Sequence, residues 1–220
     1  MLTTKSNIAL ACALSAIAGY VDGIGFIHLG GLFVSFMSGN STRVGVSLAQ
    51  GHWALAAEAL GLIALFVFGA AIGSLIVMGR GRGAYRQAVV LLVEAVLLAL
   101  SALSYAFGQS ALAVAAMVLA MGLENAVFQI GGGAGLGLTY VTGALVKVGQ
   151  LLAVALRGGA PFAWLPNLVL WAALVGGATG GAWAYQQFGL AAIWGAALTT
   201  LALAAILAVA GRYHGRRAAD

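Results

Sequence analysis

Residues 32–43 read LFVSFMSGNSTR, a polar interruption in an otherwise apolar part of the chain. Glycine and small hydroxyl residues allow the backbone to leave a helix, and Asn or Ser can cap the N-terminus of a new one. A half-helix that begins at Ser38-Gly39-Asn40 would point free N–H groups and a partial positive charge toward whatever lies in front of it. The interpretation of this stretch therefore depends on its surroundings.

Those surroundings are strongly apolar. Of 220 residues, 63% are hydrophobic and 7% are charged, whereas about 25% of a soluble domain is charged. The mean hydropathy is +1.05. Fifteen charged side chains cannot supply a polar surface for a fold of this size, so the composition predicts an all-α integral membrane protein whose first partner is the lipid bilayer. The basic residues stand at segment ends, which argues against a nucleic-acid partner despite the net charge of +5.

Six apolar segments each have about 20 residues, enough to cross a hydrocarbon core of roughly 30 Å as a helix. They lie near 7–27, 53–79, 87–107, 110–130, 163–185 and 188–211. Two further stretches, 29–50 and 134–156, are apolar overall but are broken at their centres. At membrane depth, irregular backbone is tolerated only where protein buries it or where it lines a water-filled cavity. A Gly-kinked, tilted helix whose hydroxyls bond back to their own backbone is the structural alternative for both stretches.

The two broken stretches match each other, which indicates an internal repeat. The matched positions are 38–39 with 142–143 and Arg43 with Lys147 at a spacing of 104, and 19–22 with 122–125 at a spacing of 103. We predict one transmembrane domain built from two repeats, about 7–107 and about 110–211.

The basic residues decide between two topologies. If both broken stretches cross the membrane, eight crossings place the arginines at 80–86 opposite the other basic ends. If both are re-entrant, six crossings gather the basic ends on one side: Lys5, residues 80–86, Arg157 and residues 212–217. The positive-inside rule favours six crossings, with both termini in the cytoplasm. Each half then has three crossings, so the repeats are inverted, an arrangement that recurs in transporters.

Four motifs also resemble a known family. Residues 19–26 read GYVDGIGF, residues 29–43 read LGGLFVSFMSGNSTR, and residues 122–126 and 139–143 read GLENA and TYVTG. Together they resemble the YoaK family of bacterial membrane proteins over essentially the whole chain. The resemblance implies a multi-pass protein of the bacterial plasma (inner) membrane. It implies no substrate, because the family is one of unknown function.

The candidate site consists of polar residues at the two breaks. As residues that bind a solute or ion, we predict Asp22, Ser38, Gly39, Asn40, Thr42, Arg43, Asn125, Thr139, Thr142 and Lys147. Carboxyl groups at membrane depth are costly and are retained where they face a cavity, pair with a cation or titrate. Asp22, Glu94 and Glu124 are therefore candidates for proton coupling. The structural alternatives are that Asp22 pairs with Arg43 or caps a half-helix, and that Glu94 forms an interhelical ion pair.

Two classes of function fit these residues. The first is a transporter or channel for a small polar or ionic solute of either charge sign. The second is a non-transporting scaffold or assembly partner. An intramembrane enzyme fits less well, because Ser38 has no recognisable base and no Gly-x-Ser-x-Gly frame, so no catalytic residue is predicted. No zinc-like spacing of His and Cys occurs, and neither metal nor cofactor is expected. The GxxxG faces at 69–73 and 177–181 predict close helix packing, and with it a homodimer.

Overall fold

A computed structural model describes residues 5–78, 83–128 and 141–216 of the chain. Within these ranges eight α-helices follow one another: α1 (Lys5–His28), α2 (Met37–Ala49), α3 (Trp53–Met78), α4 (Gly83–Ala106), α5 (Ser110–Glu124), α6 (Val141–Leu156), α7 (Leu165–Phe188) and α8 (Ile193–Arg216). A 3₁₀ turn extends α5 over Asn125–Phe128, and a second one, Gly189–Ala192, separates α7 from α8. No strand occurs in the described part, which confirms the all-α prediction.

Six of these helices are long enough to cross a membrane. Five continuous helical stretches of the described chain have the required length and hydropathy, and the fifth, Leu165–Gly211, has 47 residues. That is about twice the 20 residues that one crossing needs. The turn at Gly189, whose φ is +58°, divides this stretch into α7 and α8. The six crossings are therefore α1, α3, α4, α5, α7 and α8, and the predicted start of the last one at 188 is corrected to Ile193.

Helices α1 and α7 run parallel with their backbones in contact. A Cβ atom on Gly177 would lie 2.0 Å from the carbonyl oxygen of Ala16, and one on Gly181 would lie 2.0 Å from that of Tyr20. Only glycine admits so close an approach. The two residue numbers increase together along the contact, so both helices point the same way.

Helices α3 and α5 form a second parallel pair with the same geometry. A Cβ atom on Gly69 would lie 2.3 Å from the carbonyl oxygen of Leu119, and one on Gly73 would lie 2.6 Å from that of Leu123. Leu119 and Leu123 stand 103 positions after Ala16 and Tyr20, and the paired glycines are 108 positions apart. The contacts of one pair thus recur in the other at constant offsets, as the predicted repeat requires.

These glycine contacts within the chain remove the basis for the homodimer prediction. Both GxxxG faces pack against a neighbouring helix of the same chain. They are not exposed to a second copy, so they no longer favour the predicted homodimer.

One hydrogen bond settles the relative direction of the helices. The Nε2 atom of His28, the last residue of α1, lies 3.0 Å from the Oγ atom of Ser110, the first residue of α5. The end of α1 and the start of α5 therefore share one face of the bundle, which we call the His28 face. Because α3 is parallel to α5, it also begins at this face. The face where α1 begins is the N-terminal face, and α7, parallel to α1, begins there as well.

The two short helices belong to re-entrant segments. The chain leaves α1 at the His28 face and starts α3 at the same face, so the segment that contains α2 enters and leaves on one side. The segment that contains α6 lies between the end of α5 and the start of α7, both at the N-terminal face. The six-crossing arrangement is therefore the one observed. The sequences matched at a spacing of 104 lie on these two helices, with Arg43 on α2 and Lys147 on α6.

The break in the first stretch lies earlier than its sequence indicates. Ser38, Gly39, Asn40 and Thr42 lie inside α2, and the irregular backbone is at residues 29–36. The turn out of α1 is made at Gly30 and Gly31, whose φ angles of +61° and +101° favour glycine. These two glycines, rather than the SGN sequence, interrupt the helix.

Candidate functional site

A cavity of about 630 Å³ lies where the two re-entrant segments meet the α1–α7 pair. The first segment contributes Phe33, Ser35 and Phe36, and the second contributes Val141, Thr142 and Leu145. The remaining walls come from α1 and α7. The volume falls within the 300–1,000 Å³ that is usual for small-molecule sites. Described residues of both re-entrant segments thus line one cavity, although most of its walls are apolar.

Asp22 of α1 lines this cavity and also bonds the backbone in front of α2. Its Oδ1 atom accepts hydrogen bonds from the backbone N–H groups of Val34 and Ser35, each at 2.8 Å, and its Oδ2 atom accepts one from the Ser35 hydroxyl. The carboxylate therefore holds the extended segment in front of α2 and neutralises the positive end of the half-helix. Asp22 holds this backbone in front of α2 and makes no capping bond to the helix itself.

Asn40 secures the same segment from inside α2. Its Nδ2 atom donates to the carbonyl oxygen of Phe33 at 2.7 Å, and its Oδ1 atom accepts from the Phe33 N–H at 2.9 Å. The N-cap residue Phe36 makes no side-chain capping bond. The prediction that Asn or Ser caps the new helix directly is therefore wrong, because Asp22 and Asn40 hold the preceding backbone instead.

An aromatic surface covers one side of the cavity. The ring centroids of Phe26 and Phe33 are 4.9 Å apart, and those of Phe33 and Phe36 are 5.2 Å apart. Trp171 of α7 also lines the cavity. Because Trp171 stands six residues inside α7, it is not one of the interfacial anchors that tryptophans in membrane proteins often form.

The predicted binding residues separate into three groups. Asp22 and Thr142 line the shared cavity. The others in the described chain do not line it: Ser38, Gly39, Asn40, Thr42 and Arg43 on α2, Asn125 after α5, and Lys147 on α6. Thr139 lies outside the described residues. The Thr42 hydroxyl bonds back to the carbonyl oxygen of Ser38, as the structural alternative for this stretch expects. Whether any of these residues binds a solute stays a prediction.

Sequence reasoning missed several lining residues. Ser35 and Thr179 supply hydroxyls, and Phe26, Phe33, Phe36 and Trp171 supply rings. Ser35 could have been found from its position, since it precedes the SGN sequence within the same interruption. The aromatic residues carry no such signal, because Phe and Trp are ordinary residues of apolar helices.

Glu94 and Glu124 occupy a second buried region, between α4, α5 and α8. Their side chains are 0% and 1% exposed. Oε1 of Glu94 lies 3.5 Å from the Thr200 hydroxyl of α8. Oε2 of Glu94 and both carboxyl oxygens of Glu124 have no hydrogen-bond partner among the described residues. The interhelical ion pair considered for Glu94 is therefore not formed through Oε2.

His28 contacts three other helices at the His28 face. Its Nδ1 atom lies 3.0 Å from the Tyr185 hydroxyl of α7, and its Nε2 atom bonds Ser110 of α5. The ring also packs edge-on against Tyr105 at the end of α4. His28 thus links the α1–α7 pair to α4 and α5. Across residues 5–78, 83–128 and 141–216, no three His, Cys, Asp or Glu residues gather closely enough to hold a metal ion.

Comparison with known proteins agrees with this architecture. No solved structure matches the chain significantly. Over 211 residues, the chain is 37% identical to the UPF0700 transmembrane protein RA0705 of Rhizobium meliloti (strain 1021), covering 96% of this chain and 90% of that protein. The protein family described as "protein of unknown function (DUF1275)" matches residues 10–206. The expected resemblance to a family of multi-pass membrane proteins of unknown function is confirmed, and the chain belongs to the DUF1275 family.

Proposed function

We propose that this protein carries a small solute across the membrane through the cavity between its two re-entrant segments. One observation carries the proposal: residues of both segments, among them Ser35 and Thr142, line the same cavity of about 630 Å³. In many transporters, inverted halves place discontinuous helices around a site near the bilayer midplane.

The α1–α7 and α3–α5 pairs supply a means of changing access to the cavity. The backbones of α1 and α7 touch at Gly177 and Gly181, and those of α3 and α5 touch at Gly69 and Gly73. Such close contacts favour movement of each pair as a unit. Movement of one pair against the other would open the cavity first to one face and then to the other.

Glu94 and Glu124 are the groups that we propose for proton coupling. Burial without a counter-charge and with few hydrogen-bond donors favours the neutral acid. Glu94 has the Thr200 hydroxyl at 3.5 Å, and both oxygens of Glu124 lack a partner among the described residues. In this proposal, a change of charge at Asp22 alters the proton affinity of the buried Glu94 and Glu124. Asp22 is the cavity-facing member of this set.

We also propose that the N-terminal face is cytoplasmic in a bacterial plasma membrane. Lys5, Arg86, Arg157 and Arg216 stand at helix ends on this face. Basic residues in short loops are retained on the cytoplasmic side. Both termini would then be cytoplasmic.

The test of transport is access to the cavity from both faces, which requires no knowledge of the solute. In a Cys12→Ser background, Thr179→Cys places one thiol in the cavity wall. A membrane-impermeant maleimide, added to right-side-out and to inside-out vesicles, is expected to label this thiol from either side. The matched control is Leu198→Cys, an exposed position on α8 that does not line the cavity and should remain unlabelled in lipid.

The alternatives give different results in the same assay. A scaffold or assembly partner has no need for alternating access, so its Thr179→Cys thiol would be labelled from one face or from neither. That result would exclude transport through this cavity. The proposal assigns no catalytic residue to the chain.

A further inference from the structure

The shared cavity combines an acidic group with aromatic walls. Asp22 is the acidic residue that lines it, and no described lining residue is basic. Arg43 and Lys147 are not among the described lining residues. A guanidinium nitrogen of Arg43 lies 3.6 Å from the Cβ position of Gly31, which is also outside the lining. The sequence placed both charge signs at the site, whereas among the described residues only the Asp22 carboxylate is a charged group in the lining.

The backbone in front of α2 and in its first turn is held by bonds within the chain. The N–H groups of Val34 and Ser35 bond Asp22, that of Phe33 bonds Asn40, and those of Gly39 and Asn40 bond the carbonyl oxygen of Phe36. A free helix N-terminus would attract an anion, but here the protein supplies the anion itself. A negatively charged solute would meet the Asp22 carboxylate without a compensating cation in the lining.

The walls favour a cation that has an apolar body. The Phe26–Phe33–Phe36 surface and Trp171 present aromatic rings to the cavity. Ring faces attract ammonium groups, and Trp does so most strongly. The cavity is also far larger than an inorganic ion requires.

We propose that the cavity binds a small organic cation, an ammonium group attached to an apolar or aromatic body. The ammonium group lies between the Asp22 carboxylate and the aromatic rings, and the apolar body lies against α7. The Ser35 and Thr179 hydroxyls already donate to Asp22 and to the carbonyl oxygen of Val175, so their oxygen atoms remain as acceptors for polar substituents. Thr142 adds a third hydroxyl to the lining. This assignment rests on the proposed transport function and specifies its substrate class.

Three water-soluble probes of similar size separate charge from shape: benzyltrimethylammonium, the neutral N,N-dimethylbenzamide and the anion benzenesulfonate. Their binding is measured by equilibrium dialysis with the full chain in phosphatidylcholine nanodiscs, because that lipid has no net charge. The cation is expected to bind at least about tenfold more tightly than the neutral probe, and the anion not measurably.

Matched variants locate the bound cation. Trp171→Leu should weaken cation binding roughly 3- to 30-fold, since it removes the Trp ring from the wall. Trp183→Leu is the control, because Trp183 lies on the same helix, is 61% exposed and does not line the cavity. Phe36→Leu provides a second wall variant if Trp171→Leu does not fold. Bound cation should also protect Thr179→Cys from the maleimide.

The outcomes distinguish this assignment from the transport function. Equal or tighter binding of the neutral or anionic probe, an unchanged affinity in both wall variants, or no binding of any probe overturns the organic-cation assignment. If the Thr179→Cys thiol is still labelled from both faces in those cases, transport stands with a different substrate. If that labelling fails, transport itself is wrong.

Discussion

Asp22 and Glu124 occupy comparable places in the two halves but have opposite surroundings. Asp22 lies near the end of α1, and Glu124 ends α5, one position before the residue that the repeat matches to Asp22. The Asp22 carboxylate accepts three hydrogen bonds from Val34 and Ser35, whereas both oxygens of Glu124 lack a partner among the described residues. A carboxylate with three donors can remain charged, and one with none is stable as the neutral acid. Position in the repeat therefore does not determine chemical role.

The largest effect on stability is expected when the hydrogen bonds of Asp22 are removed. Asp22→Ala leaves two N–H groups and one hydroxyl without an acceptor, and should lower the free energy of unfolding by about 3–6 kcal/mol. Asp22→Asn keeps one acceptor oxygen and should cost about half as much. Thermal unfolding in nanodiscs measures both changes, and proteolysis reports on residues 29–36. An Asp22→Ala protein as stable as the parent would show that the hydrogen bonds do not hold the re-entrant segment.

A smaller effect is expected when the helix that carries Asp22 is displaced. In Gly181→Ala the new Cβ atom would lie 2.0 Å from the carbonyl oxygen of Tyr20, so α1 and α7 must separate. We expect the free energy of unfolding to fall by about 1–3 kcal/mol, as is usual for an overpacked contact. Gly176→Ala is the control on the same helix, because no atom lies within 4 Å of its Cβ position.

Separation of α1 from α7 in Gly181→Ala should also alter the cavity beside Asp22. In the same protein, the accessibility of a Thr179→Cys thiol should change, because that residue lines the cavity between α1 and α7. Equal stability of the Gly181→Ala and Gly176→Ala proteins would show that the close α1–α7 contact does not contribute to the fold.

The smallest effect is expected at the glutamates. Glu94→Gln and Glu124→Gln replace a neutral acid by a neutral amide of the same shape, so each should change the free energy of unfolding by less than about 1 kcal/mol. Glu58→Gln is the baseline, since Glu58 is exposed on α3. A loss of about 3–5 kcal/mol in either variant would instead indicate a buried ion pair. The change in the free energy of unfolding is measured by thermal unfolding at pH 7.

The sequence predicted the gross architecture because hydropathy is a local property. A segment of about 20 apolar residues crosses the bilayer whatever its neighbours do. The six crossings and the two re-entrant segments follow from local composition and charge. Asp22 and Thr142 were found in the same way, as polar residues in apolar surroundings.

The location of the first break and most of the cavity wall could not be predicted in this way. Ser38–Thr42 has the composition of a break, but Asn40 reaches back to Phe33 and the chain turns at Gly30 and Gly31 instead. Helix termini depend on which distant groups satisfy the backbone, and Asp22 bonds residues 12 and 13 positions away. Such partners are invisible to a local pattern.

By itself, then, the sequence determined a six-helix membrane protein with two polar interruptions, because the cost of exposing polar groups to lipid is set by each segment alone. Only the tertiary structure decided that the glycine faces pack within the chain and that residues of both re-entrant segments line one aromatic-walled cavity. It also decided that Asp22 accepts three hydrogen bonds, whereas Glu94 has one partner and Glu124 has none among the described residues. These outcomes depend on contacts between helices far apart in the chain, and the energies of such contacts arise only once the helices have packed.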